Sequence, residues 1–298
     1  MRALTAFLSI LLLAACGDKP TPGHIVVYAH EGTRAQRIEE MLAEFTAETG
    51  VLVTLRLGDS AELTDTIIAK QDAPRADVLI TTGAADIWRA ADTGALRPLA
   101  EATLQHVPAP LRDPDGYWIA ATAVSPSIVV ADGASTYMLD DLGDLGEMEF
   151  KGRLCLSSSS LPGNRALIAA LIETSDNRAA ERLIRRWIRN LARPPFDSEA
   201  RLVEAVRAGA CELAILTGTA PVDAVLRFWP ETEPRPLFID GMGVARHATN
   251  ADAGQQLVAW IAGKQGARVH KDIEYIHAGV VGWRDEEARL LAERAGYR

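Results

Sequence analysis

From His24 onward, short apolar runs rich in β-branched residues alternate with longer stretches whose apolar residues recur every three or four positions. That alternation is the signature of an α/β fold with largely parallel sheets. Ile25 to Tyr28 reads as a strand. The next segment, 34–49, reads as a helix whose stripe is Ile38, Met41, Leu42 and Phe45, closed by Gly50. Strands at 51–57 and 76–80 and helices at 61–71 and 84–91 continue the pattern. A turn rich in Pro, Asp and Gly follows at 112–118, then a strand at 128–130 and a less regular stretch to Gly152. A second set begins there: strand 153–157, helices 165–173, 178–191 and 199–208, strand 212–216 and helix 222–228. Residues 230–236 (PETEPRP) are too proline-rich for a helix or a central strand and carry the chain back, so that tail helices near 252–262 and 285–295 complete the first lobe. The division read from this pattern is lobe 1 at 24–121 plus 237–298 and lobe 2 at 122–236.

With 298 residues, 48% hydrophobic and 24% charged, the chain has the composition of a folded globular protein. A formal charge of −9 disfavours nucleic acid or an anionic bilayer as an electrostatic partner.

The first fifteen residues are expected to be removed. Arg2 begins a short positive region, and the apolar run from Leu4 to Leu13 falls short of the roughly 20 residues that span a bilayer. It ends in Leu13-Ala14-Ala15-Cys16, which resembles a bacterial lipobox. Residues 1–15 are then a lipoprotein signal peptide, Cys16 the acylated new N-terminus, and 16–23 a polar tether on the periplasmic side of a membrane in the cell envelope. In that oxidising compartment Cys155 and Cys211 form an even pair on two buried strand segments, and a disulfide between them is expected. Two buried free thiols are the alternative.

Enzyme signatures are missing: the sequence holds no GxSxG, HExxH, GxxxxGK[ST], CxxC or GxGxxG. Histidines 24, 30, 106, 247, 270 and 277 have no partner at helical ligand spacing. What recurs is a strand opening into a hydroxyl- or glycine-bearing loop before a helix. Four such loops occur, at 29–33, 81–83, 157–164 and 217–221. In open α/β sheets ligands bind at the carboxyl ends of strands, beside helix N-termini with free N–H groups. Two lobes facing each other make a cleft there, lined by Tyr28, His30, Glu31, Thr81, Thr82, Ser158, Ser159, Ser160, Asn164, Thr217 and Thr219. Ser, Thr and Pro are also simply good helix starters, and that reading stays open for each loop. An envelope enzyme with a nucleophile among Ser157 to Ser160 and His30 or His247 as base has no support from spacing.

Several segments, in order, resemble the extracytoplasmic solute-binding proteins of ABC importers, specifically the ferric-iron-binding group. They include 45–53 (FTAETGVLV), 76–81 (ADVLIT), 111–118 (LRDPDGYW), 152–160 (GRLCLSSSS), 190–195 (NLARPP), 203–213 (VEAVRAGACEL), 241–244 (GMGV) and 292–297 (AERAGY). The resemblance implies a two-lobed type II periplasmic-binding-protein fold with a cleft between the lobes. It also implies a non-enzymatic monomer that hands its solute to ABC permease and ATPase subunits, and that touches the membrane through its lipid only.

The family's adjacent tyrosine ligands fall at Thr217-Gly218-Thr219-Ala220, a further tyrosine at Gly163, and its anion-supporting arginines near Val124-Ser125-Pro126. Tyr28, His30 and Glu31 are the ligands left to match the family's metal chemistry. No prosthetic group is expected, and iron(III) enters only as a transported ligand. Three outcomes follow: capture of iron(III) or an iron chelate; capture of a small anionic or polar solute by N–H and hydroxyl groups, in which case Ser159 and Thr219 to Ala weaken binding; or a scaffold that has lost its ligand.

Overall fold

The computed structural model describes residues 23–32, 35–70, 75–131, 139–218, 226–264 and 273–298. The expected signal peptide (1–15), Cys16, nearly all of the tether and Thr219 lie outside the described residues.

Two sheets organise the chain. The first contains β1 (His24–His30), β2 (Leu52–Gly58), β3 (Val78–Ile80), β4 (Ile119–Val124) and β9 (Phe238–Val244), in the order β2-β1-β3-β9-β4. The second contains β5 (Ser127–Val130), β6 (Leu154–Cys155), β7 (Leu213–Leu216) and β8 (Leu226–Phe228), in the order β6-β7-β5-β8. Between them run helices α1 (Ala35–Thr49), α2 (Ser60–Ile68), α3 (Ala84–Asp92), α4 (Glu101–Leu104), α5 (Pro162–Thr174), α6 (Asn177–Arg189), α7 (Glu199–Arg207), α8 (Ala251–Ala262), α9 (Ala278–Trp283) and α10 (Asp285–Ala295). This is the two-lobed type II periplasmic-binding fold.

The chain passes between the sheets twice, from β4 to β5 through Ser125-Pro126 and from β8 back to β9. Those crossings change the expected strand directions. β1 is parallel to β2 and β3, but β9 is antiparallel to both β3 and β4, and β5 is antiparallel to β7 and β8. The sheets are therefore mixed, because a strand that arrives from the other lobe has no covering helix to reverse it before pairing. Residues 226–228, expected in a helix, form the edge strand β8 instead; its Arg-Phe pair continues the ladder of β5.

Helix stripes match the sequence pattern. Ile38, Leu42 and Phe45 of α1 are buried, and Phe45 meets Trp260 of α8 edge-on, with ring centroids 5.7 Å apart. Asp77, buried just before β3, accepts from Val26 N at 2.9 Å and from Asn250 N at 2.7 Å, tying β1 to the start of α8. In the second lobe Cys155 and Cys211 are bonded, with Cα atoms 5.8 Å apart, inside a cluster that includes Val129, Leu202, Val203 and Val206.

The tail departs from the expected division. α8 and β9 belong to the first lobe, but α10 packs on α5 and α6, and α9 lies between α3 of the first lobe and α5 of the second. The apolar stripe of α10, Ala288, Leu291, Ala292 and Ala295, is buried by this arrangement. Arg165 to Asp285 at 2.7 Å and Arg284 to Glu173 at 2.8 Å fix it in register. Among the described residues no helix is long and apolar enough to cross a membrane.

Candidate functional site

The carboxyl end of β3 and the start of α3 face the start of α5. Gly83, the residue before α3, is so close to Pro162 that a Cβ on it would lie 3.2 Å from Pro162 Cβ. Gly83 is also bridged to Asp240 of β9 and donates its N–H to Ile239 O at 2.8 Å. The lobes therefore meet at a seam with strand ends on both sides.

On the first-lobe side His30 is the centre. It is 3% exposed, and its Nδ1 donates to Glu31 O at 3.0 Å, since a carbonyl can only accept. Its Nε2 lies 3.2 Å from Asp240 Oδ1, at ion-pair distance but without the alignment of a hydrogen bond. Asp240 is fully buried and accepts from Thr122 Oγ1 through its other oxygen. Tyr28 lies on the same face of β1 as His30, fully buried, and its hydroxyl accepts from Arg56 at 3.0 Å under a guanidinium 5.0 Å from the ring centre. Glu31 points its exposed side chain to solvent while its N–H bonds Gly58 O. Thr81 is buried and donates to Gly83 O, and the backbone N–H of Thr82 bonds Ser60 Oγ.

On the second-lobe side the serine loop is largely absorbed into local structure. Asn164 Nδ2 donates to Ser157 Oγ at 2.9 Å and to the carbonyls of Ser157 and Ser158. Ser159 Oγ donates to Tyr297 O, and Tyr297 OH donates to Ser157 O at 2.6 Å. Ser158 and Ser160 share a hydroxyl contact of 2.8 Å at the exposed tip. Thr217 Oγ1 donates to Glu199 Oε1 at 2.8 Å, and the Thr217 N–H donates to the same oxygen. Burial pushes the Tyr297 phenol well above its usual pKa, with the nearby Glu199 charge adding to the effect.

Four functional candidates escaped the sequence: Asp240, Glu199, Tyr297 and Arg56. Asp240 had a signal, a carboxylate inside the otherwise apolar run 238–244. Glu199 did not, because an acidic residue after Ser198 reads as ordinary helix-start chemistry. Among the described residues no group of three or more His, Cys, Asp or Glu side chains is placed to hold a metal ion by itself. Any ion held at the seam must therefore draw donors from both lobes or bring its own.

Residues 25–272 match the family model of bacterial extracellular solute-binding proteins. The chain is 28% identical over 308 aligned positions to iron uptake protein A1 of a Synechocystis species, covering 93% of this chain and 85% of the relative. It is 24% identical to the Fe(3+)-binding periplasmic protein of Serratia marcescens, over 89% of this chain and 81% of that one. Among solved structures, that of Trichodesmium FutA in complex with iron and citrate ligands superposes with a TM-score of 0.78 at 25% identity, over 93% of this chain and all of that one. The apo ferric ion-binding protein A of Pasteurella haemolytica gives 0.80 at 20% identity, over 92% and 98%, and so shares the fold.

Proposed function

This chain belongs to the bacterial extracellular solute-binding proteins, and from that premise we propose that it captures iron(III), bare or as a chelate, in the cleft between its lobes for delivery to an ABC permease. The observation that carries this reading is the seam itself: Gly83, bridged to Asp240 beside His30 on the first lobe, stands against Pro162 at the start of α5, and Thr217 with Glu199 lies next to Gly163 on the second. These donors are nitrogen and oxygen only, and both described cysteines are bonded to each other, so the site suits a hard cation and offers no thiolate. The relatives named for iron uptake and Fe(3+) binding point the same way.

In this reading lobe 1 comprises 24–124 and the chain from 237 through α8, and lobe 2 comprises 127–236 with α10 packed on it and α9 between the two. Opening and closing turn on the two crossings, at Ser125-Pro126 and between Phe228 and Phe238. Capture requires no chemical step, so the protein acts as a non-enzymatic monomer. A lipid on Cys16 holds it in the periplasm beside the permease, which the ATPase subunits drive from the other side of the membrane, with 1–15 removed as the signal peptide.

The test is a thermal-shift screen of the chain from residue 17 with ferric citrate, ferric nitrilotriacetate, citrate, nitrilotriacetate and phosphate. Ligand at about 100 times Kd adds roughly 2.7 kcal/mol to the folded state alone. Both ferric species are expected to raise the midpoint and the metal-free anions to leave it unchanged. A shift with citrate or phosphate alone, or none with either ferric species, overturns the reading.

A further inference from the structure

Thr217, a candidate lining residue from its sequence position, does not present a free hydroxyl to the cleft. Its N–H and its hydroxyl both point at one oxygen of Glu199, leaving Oε2 with no hydrogen bond or ion pair among the described residues. The carboxylate is half-buried, belongs to the first turn of α7, and has no cationic neighbour at ion-pair distance among the described residues.

The surroundings are cut to fit this carboxylate. A Cβ on Gly163 would come 2.4 Å from Thr217 Oγ1, and one on Gly218 would come 2.3 Å from Glu199 Oε2. At Gly163 the Thr217 Cβ stands only 2.8 Å off as well, so a side chain there would displace Thr217, and at Gly218 a side chain would push the end of Glu199 away from its present place. Gly163 follows Pro162, which touches Gly83 of the first lobe, so the free oxygen stands beside the seam.

We propose that Glu199 is the charged ligand contact of the second lobe, and that it makes the cleft selective for a cationic ligand over a small anion. The inference rests on the seam being the binding cleft. A carboxylate fixed by two donors loses little conformational freedom when a ligand arrives, so its charge acts at full strength on what it meets. In a partly desolvated seam that charge attracts a hard cation and opposes a free anion such as phosphate or citrate.

The test uses Glu199→Gln, because a glutamine Oε1 can still accept from the Thr217 N–H and hydroxyl while the charge is gone. Glu204→Gln, an exposed position on the same helix, is the matched control for net charge. Gly218→Ala is the second variant, placing a methyl group against Oε2 without removing a donor. In the full chain, ferric nitrilotriacetate titrations should show at least a tenfold weaker Kd for Glu199→Gln and Gly218→Ala, and no change for Glu204→Gln.

If the unaltered protein binds the ferric species and both Glu199→Gln and Gly218→Ala bind equally well, the inference is overturned and the proposed function stands. If the unaltered protein binds only another cation, such as manganese(II) or spermidine, and Glu199→Gln loses it, the inference stands and the iron reading falls. If it binds phosphate or citrate and no cationic ligand, the inference is overturned together with the iron reading.

Discussion

The phenol of Tyr297 donates to the carbonyl of Ser157 at 2.6 Å, joining two residues 140 positions apart. The same tyrosine accepts from Ser159 through its own carbonyl, so the serine loop clasps the end of α10 as well as facing the cleft. This explains why α10 packs on the second lobe: the buried ring must deliver its hydroxyl to a partner there.

Tyr297→Phe removes one of two donors to the Ser157 carbonyl, which keeps Asn164 Nδ2, a cost of about 0.5–1.5 kcal/mol in chemical denaturation at pH 7. Burial raises the folded pKa of the phenol above its unfolded value of about 10, so the neutral phenol's contribution is complete below that pH. Above it the unfolded tyrosine ionises while the folded one does not, and stability falls. The gap between the two proteins should therefore shrink as pH is raised past about 10, which denaturation at pH 7, 9 and 10.5 would measure. A gap that widens would be the wrong sign.

The bridge between Cys155 and Cys211 closes a loop of 56 residues. By the loop-entropy model this contributes about 4 kcal/mol by restricting the unfolded chain. Replacing both cysteines with alanine should lower the free energy of unfolding by that order, since the bridge is buried in the small cluster with Leu202 and Val206 of α7. Denaturation of the unaltered protein with and without reductant gives an independent reading of the same quantity.

Much of the fold could be read from the residues. The stripe Ile38, Leu42, Phe45 announces α1 directly, because an apolar period is a local property. Strand direction was not legible, since whether β9 runs with or against β3 depends on which lobe the chain has come from. The site was legible only in outline. Gly83 and Thr217 sit in loops at strand ends, a local property, but a hydroxyl's partner is set by tertiary contact: Ser159 turns to Tyr297 and Thr217 to Glu199, and no spacing in sequence encodes either. His30 was singled out, whereas its neighbour Asp240 comes from a strand more than 200 residues later.

The two lobes are also joined through α9, where Gly282 lies against α3. A Cβ there would stand 2.7 Å from Trp88 Cβ and 2.9 Å from Ala84 O, and the second of these is backbone that cannot rotate away. Gly282→Ala should therefore destabilise by about 1–3 kcal/mol through overpacking. Because the strain falls on the helix pair that spans the lobes, Trp88 fluorescence should change in the variant without ligand. An unchanged midpoint in denaturant would show that α9 can lift from α3 at no cost.

Asp113 offers a test of opposite sign. It is 8% exposed, and its carboxylate accepts from Tyr117 N at 3.0 Å in the turn before β4. Burial nevertheless raises its pKa above the ordinary value, outweighing the backbone hydrogen bonds that lower it. An acid whose folded pKa lies above its unfolded one binds its proton more tightly when folded, so its contribution to stability falls as pH rises through that range. At neutral pH the charge is a burden that asparagine would lift while its side-chain oxygen still accepts from Tyr117. Asp113→Asn is expected to be more stable than the unaltered protein at pH 7, with the difference closing as pH is lowered through the carboxylate range. Denaturation midpoints at pH 7, 5 and 4 decide it, and a variant less stable at pH 7 would mean that the charged hydrogen bond outweighs the desolvation.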